Sequence, residues 1–247
     1  MRGDGRALLR KQVMDEMAGT KRGGQMPFVS VIIPTFNEAH NIADVILGVK
    51  HVLEGAYGYE IIVVDKRSGD CTADIARKLG ARVLFDDVGK GSALIHGFAA
   101  AKGDVVISMD ADLSHRPNEL KLLIAGIEAG YDVCMGSRFL TGGGSDDMPM
   151  IRKLGNKFFV CLVNTLYGSH YTDMCYGYRS FGRGVAQKLG LKERGFGIET
   201  EISINAQKKR MHILEVPSFE KKRAAGEAHL RTFKDGWVIL KTILDGL

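Results

Sequence analysis

The sequence predicts an α/β fold with a mostly parallel central sheet flanked by helices. Two observations carry that expectation. Short runs rich in Val and Ile recur between segments of helical periodicity, and several of those runs end in polar or acidic residues. A third bounds it: 247 residues with 45% hydrophobic side chains suffice for one substantial core. With no internal repeat and no low-complexity tract, one domain is expected over residues 27–247.

The elements follow in order. Residues 29–33 (VSVII) read as a buried strand stopped by Pro34, and residues 41–54 carry helical periodicity. Residues 60–64 (EIIVV) form a second strand, and residues 72–79 a helix closed by Gly80. Residues 81–85 are a third strand, 91–101 a helix ended by Gly103, and 104–109 a fourth strand. A helix over 117–129 and a strand over 132–135 complete the regular pattern. Residues 1–26 stand apart as an extension with a short amphipathic segment around 7–17, either a solvated tail or a basic surface anchor.

Composition narrows the partners. A formal charge of +5 suits phosphate-bearing ligands or an anionic membrane surface, and no nucleic-acid partner is expected. The four cysteines have neither CxxC nor zinc spacing, and no secretory signal opens the chain, so a reduced cytoplasmic compartment is expected. His115, His170 and His212 show no metal spacing either. No apolar run is long enough to cross a bilayer; the nearest, FFVCLV at 158–163, is followed by Asn164, and no transmembrane segment is expected.

In parallel sheets, ligands bind beyond the carboxyl ends of the strands. PTFNE at 34–38, DKRS at 65–68 and DAD at 110–112 all fall there. Asp110 and Asp112 leave a buried strand together and suit one hard divalent cation bridging diphosphate oxygens.

These segments, with VVDKRSGDCT (63–72), GKGSALIHGF (89–98), DADLSH (110–115), GSRF (136–139) and EVPSFEKKRAAGE (215–227), resemble the inverting GT-A glycosyltransferases of family 2. The resemblance is to the branch of dolichyl-phosphate mannose synthase and the polyprenyl-phosphate glucosyltransferases, and covers roughly residues 28–235. It implies a single GT-A (Rossmann-like) domain. The activity implied is metal-dependent transfer of a hexose from a nucleotide diphosphate sugar, of GDP-mannose or UDP-glucose type, to a polyprenyl or dolichyl phosphate. Mg²⁺ or Mn²⁺ would sit on Asp110 and Asp112. Pro34, Thr35, Asn37, Glu38 and Asp65 would line the nucleoside pocket, with Lys90 and Ala111 also on the nucleotide sugar. Arg138, Arg152 and His229 would meet the acceptor phosphate, Arg223 the reacting diphosphate, and Glu201 would brace an arginine from behind. Asp173 would either orient the acceptor or act as a base.

A phosphate monoester is already anionic and needs cations instead of a base, which matches those arginines. The same resemblance implies an enzyme at the cytosolic face of a membrane in peripheral contact, and leaves a homo-oligomer open. Residues 156–167 are read either as an interfacial amphipathic helix or as a core helix, and residues 237–244 carry the same ambiguity. The glycine-rich 142–147 loop is read as a lid or as flexible linkage. Departures from the family pattern are Lys66 where a second acid is usual, Ala228-His229 for Ser-Lys, Tyr176 for Ser and Ser114 for Gln. They point to a less typical branch. A transferase acting on a hydroxyl, or a non-catalytic nucleotide-sugar-binding protein, remain the alternatives.

Overall fold

The computed structural model describes residues 26–223 and 232–247. The predicted 7–17 segment and His229 lie outside them. The described elements are β1 (Val29–Thr35), α1 (Ile42–Leu53), β2 (Tyr59–Asp65), α2 (Thr72–Lys78), β3 (Arg82–Phe85), α3 (Lys90–Ala100) and β4 (Val105–Ser108). A 3-10 turn (Pro117–Glu119) leads into α4 (Leu120–Glu128) and β5 (Val133–Ser137). Then come β6 (Gly144–Ser145), α5 (Met150–Tyr167), β7 (Arg179–Gly182), α6 (Val185–Lys188), α7 (Ile198–Lys208), β8 (Ile213–Pro217), β9 (Phe219–Glu220) and α8 (Thr232–Asp245).

The main sheet runs β3-β2-β1-β4-β7-β5-β8, and β6 pairs with β9 in a separate two-stranded ribbon. Every main-sheet pairing is parallel except those of β7, which is antiparallel to both β4 and β5. Alternation along the strands divides the core in two. Val31, Ile33, Ile61 and Val63 pack with α1 and α4 on one face, whereas Ile32, Ile62 and Val64 pack with α3 and the α5–α8 side on the other. Helix α3 lies close to the sheet because residue 97 is glycine; a Cβ there would stand 2.3 Å from Ile32 Cγ2.

Strand β1 does not stop at Pro34 but continues to Thr35, in register with Val64 and Asp65 of β2. The reason is directional. The Ile32 carbonyl faces β4, accepting Met109 N at 3.0 Å, and the Thr35 carbonyl faces β2, accepting Lys66 N at 2.9 Å. Pro34 therefore faces the β4 side, where pairing has already ended at Ile32 with Ser108, so its missing N–H costs no ladder bond. All three predicted polar strand ends emerge at this edge.

Candidate active site

Met109 is the last residue of the β4 run to bond the sheet, and Asp110 follows directly. Lys90, at the start of α3, lies 2.8 Å from Asp110 Oδ1 and 2.8 Å from Glu199 Oε1, in the first turn of α7. Burial alone would raise the Asp110 carboxyl, but the Lys90 charge outweighs it and brings the carboxyl down to about 2. The two carboxylates likewise overcome the burial of the Lys90 ammonium and hold it firmly charged. Residue 177 must be small here, since a Cβ would come within 3.2 Å of Lys90 Nζ, 3.3 Å of Glu199 Oε1 and 3.4 Å of Asp110 Oδ2.

Asp112 is paired in the same manner. Arg223 Nη2 stands 2.8 Å from Asp112 Oδ2, and Arg223 Nη1 is 3.1 Å from Glu38 Oε1. Glu38 is fastened in turn: Asn41 Nδ2 donates to its Oε2 at 2.7 Å, and its own N–H donates to Thr72 Oγ1 at 2.9 Å. Burial raises its carboxyl, an effect opposed by Asn41 and Arg223. Between the aspartates, Ala111 is buried; after them, Leu113 has φ 64°, and the Ser114 N–H turns back onto Asp112 Oδ1 at 3.0 Å. His115 is buried against Tyr178, the two rings stacked nearly parallel with centroids 4.6 Å apart. Its Nδ1 accepts the Asp110 N–H at 3.0 Å, so the ring holds the loop, and burial favours its neutral form.

On the β1–β2 side, Asp65 is fully buried. Its oxygens accept Thr35 Oγ1 at 2.9 Å, Ser68 Oγ at 2.6 Å and Ser68 N at 2.8 Å. Asp65 thus ties two strand ends together at the place the sequence assigns to the lining of a nucleoside pocket. Asn37, at φ 55°, donates its N–H to Ser68 Oγ and accepts Gly69 N–H on its side chain at 3.0 Å. Pro34 is half-buried beside it, and Lys66 is exposed over the Phe36 ring.

The opposite side of the crevice is a buried ionic lattice. Arg138 donates Nε to Asp173 Oδ2 at 2.7 Å and Nη2 to Asp173 Oδ1 at 2.9 Å, and its Nη1 donates to both Glu220 oxygens. Its side chain is 8% exposed and lies over the Tyr176 ring. Asp173, fully buried, also accepts Arg138 N and Cys175 N. Neither side chain is open to a ligand in this arrangement, and Asp173 has no lone pair directed at the crevice for use as a base. Glu215 underlies them, accepting the N–H groups of Thr172 and Asp173. Arg152 stands in the first turn of α5, and one turn later Asn156 Oδ1 accepts Met174 N and Cys175 N while its buried Nδ2 has no partner among the described residues.

Two further residues correct or extend the expectations. Among the described residues Glu201 braces no arginine; its carboxylate accepts the Lys192 and Glu193 N–H groups. The acid that does enter the crevice is Glu199, and the arginine that organises this wall is the fully buried Arg179. Arg179 donates to the carbonyls of Met174, Tyr176 and Glu199 and to Ser203 Oγ.

The mostly parallel α/β sheet delivers Asp-x-Asp to a polar crevice at its strand ends, where sheets of this class bind ligands. Residues 30–190 match the family model described as glycosyl transferase family 2, and the chain belongs to that family. Among curated relatives, the chain is 35% identical over 211 residues to a dolichol-phosphate mannosyltransferase of Pyrococcus furiosus, covering 82% of this chain and 59% of that protein. It is 33% identical to the low-salt glycan biosynthesis hexosyltransferase Agl6 of Haloferax volcanii, over 90% of this chain and 54% of the relative. A dolichyl-phosphate hexose transferase of the same organism is 31% identical, over 87% of this chain and 92% of its own length. The chain thus spans little more than half the length of the first two. Glucosyl-3-phosphoglycerate synthase from Mycobacterium tuberculosis, solved in complex with Mn²⁺, UDP and glucosyl-3-phosphoglycerate, shares the fold, with a TM-score of 0.71 at 22% identity. That match covers 94% of this chain and 83% of the other.

Proposed function

We propose that this chain is a divalent-metal-dependent inverting transferase that moves a hexose from a nucleoside diphosphate sugar to a polyprenyl phosphate. The observation that carries it is the state of the acceptor side. Asp173 and Glu215 have their oxygens filled by Arg138, Thr172 and backbone N–H groups, and Glu220 is paired with Arg138 and Ser145, so none of these three described acids is left free as a base. An acceptor must then arrive already ionised, as a phosphate monoester does. The Nδ2 of Asn156, without a partner among the described residues, lies against the same wall one turn from Arg152 and suits such an oxyanion. The similarity to the dolichol-phosphate mannosyltransferase of Pyrococcus furiosus and the dolichyl-phosphate hexose transferase of Haloferax volcanii favours the same acceptor class.

Asp110 and Asp112 supply two hard carboxylate oxygens, the donor set that Mg²⁺ or Mn²⁺ prefers. Among the described residues no group of three or more metal-ligating side chains exists, so the diphosphate and water would complete the coordination. The M. tuberculosis enzyme, solved with Mn²⁺ or with Mg²⁺ and UDP, supports that assignment. When bound, the ion supplies positive charge to the departing diphosphate. Lys90 and Arg223 stand beside the aspartates and receive the rest of that charge. Thr35, Asn37 and the 65–68 turn hold the nucleoside against the β1–β2 edge. In the displacement, an acceptor phosphate oxygen bonds to the anomeric carbon as the bond to the donor diphosphate breaks. The electron pair leaves on the diphosphate, and no proton need move.

A lipid acceptor requires contact with a bilayer surface. Among the described residues no helix is long and apolar enough to cross a membrane. Helix α5 instead exposes Met150, Ile151, Leu154 and Phe158, with Lys153 and Lys157 among them, in peripheral contact with the cytosolic leaflet.

The test is transfer of labelled sugar from GDP-mannose, UDP-glucose, UDP-galactose and UDP-N-acetylglucosamine to polyprenyl phosphate in detergent. One donor is expected to give a lipid product that disappears with a chelator and returns with Mg²⁺ or Mn²⁺. Metal-dependent donor binding without any lipid product would reject the phosphate acceptor.

A further inference from the structure

Resting on the transferase reading above, the geometry points to Glu38 and Glu199 as positioning residues that keep the aspartate pair ready for a divalent ion by sharing its two cations. The two halves of the site are built alike. Asp110 shares Lys90 with Glu199, at 2.8 Å on each side. Asp112 shares Arg223 with Glu38, at 2.8 Å and 3.1 Å. Counted by formal charge, the four carboxylates and two cations of these ion pairs sum to −2, the charge one divalent ion neutralises.

The glutamates decide this balance. Without them, each aspartate–cation pair would be neutral and would hold little attraction for a metal. With them, Lys90 and Arg223 keep a carboxylate partner when the aspartates turn to the ion, so neither cation is stranded in a buried place. The glutamates are also the better-anchored members. Glu38 is fastened by Asn41 and Thr72, and Glu199 lies on α7 with its carbonyl held by Arg179 at 2.8 Å. The aspartates sit in the loop after β4, where, besides the two cations, the bonds are Asp110 N–H to His115 Nδ1 and Ser114 N–H to Asp112 Oδ1. A diphosphate arriving with the ion then meets two cations that are in place and held by glutamates alone. Neither glutamate need touch the ion or the sugar.

The experiment is a titration of the full chain with MnCl2, alone and with GDP or UDP, reading free Mn²⁺ by electron paramagnetic resonance. Glu199→Gln and Glu38→Gln, which preserve shape, are each expected to weaken Mn²⁺ binding by about tenfold, the usual scale for residues behind metal ligands. Melting temperatures should stay near that of the unaltered chain. Lys90→Met is expected to move the two ligands oppositely, binding Mn²⁺ alone more tightly and the nucleoside diphosphate more weakly. Gln variants that bind Mn²⁺ like the unaltered chain would overturn the inference. So would a Lys90→Met chain that loses both ligands together, the behaviour of a merely structural residue. An unaltered chain that binds no Mn²⁺ even with nucleoside diphosphate would instead reject the transferase reading itself, and this inference with it.

Discussion

Arg138 is a guanidinium whose fork is filled by the protein's own carboxylates. Removing it by Arg138→Met would leave Asp173 and Glu220 without their cation in a nearly closed site, a change expected to cost on the order of 3–5 kcal/mol. Urea unfolding would measure it, and adding Asp173→Asn to the same chain should recover part of the loss, because the stranded charge goes with it. Glu215 behaves differently. Burial raises its carboxyl above the ordinary 4.5, against the hydrogen bonds from Thr172 and Asp173. The folded state therefore holds this proton more tightly than the unfolded chain, and the Glu215 contribution to stability falls as pH rises from about 4.5 through the raised value. Melting curves from pH 4 to 7 should show that downward slope in the difference between the native chain and Glu215→Gln; equal slopes would reject it. At this scale the sequence was legible where a motif placed a side chain at a strand end, as for Asp110 and Asp112. It was not legible for Glu199 and Glu201. Two residues apart on a helix are separated by about 200° around its axis, so one faces the crevice and the other does not, and the letters alone do not say which. The partners that fill Arg138 were hidden for a related reason, since Glu220 lies 82 positions away.

Among the elements, the parallel strands and their helices were legible because buried strands read as continuous apolar runs between periodic segments. β7 was not anticipated. Its four residues, RSFG, include an arginine and a serine that no strand pattern favours, and they are buried only because Arg179 finds three carbonyls and Ser180 donates to Leu123. The insertion matters to the site, since it turns the chain so that the 173–178 loop lies beside Asp110 and brings Gly177 under Lys90. For α5, the sequence left an interfacial helix and a core helix open, and the structure buries one face of the helix and exposes the other. Asn156, Val160 and Val163 face inward, while Ile151, Leu154 and Phe158 recur at helical spacing on the outside.

For the whole molecule, what matters is how that exposed face is placed relative to the crevice. α5 begins just beyond the loop that leaves Arg138 and carries Arg152 in its first turn, so its apolar stripe starts at the acceptor side. α8 packs beside it, with Tyr167 Oη donating to the Ile243 carbonyl at 2.6 Å, and it exposes Trp237, whose neighbour Gly236 lies against Phe159. Trp at the rim and lysines among apolar side chains are the chemistry of a membrane interface, where the ring sits among headgroups and the ammonium groups meet anionic lipid. Docked by this face, the molecule would present its acceptor wall to the bilayer and keep the β1–β2 edge, where the nucleoside belongs, toward water. Phe158→Asp combined with Ile151→Asp should therefore reduce co-sedimentation with phosphatidylglycerol vesicles by about tenfold or more, the scale of withdrawing two apolar side chains from a lipid surface. Both positions are more than half exposed, so the melting temperature should not change. Mn²⁺-dependent nucleotide binding should persist as well. Transfer to a long polyprenyl phosphate in vesicles should fall, while transfer to a short, water-soluble prenyl phosphate continues. Equal loss with both acceptors would mean that this face serves the site itself and not a membrane.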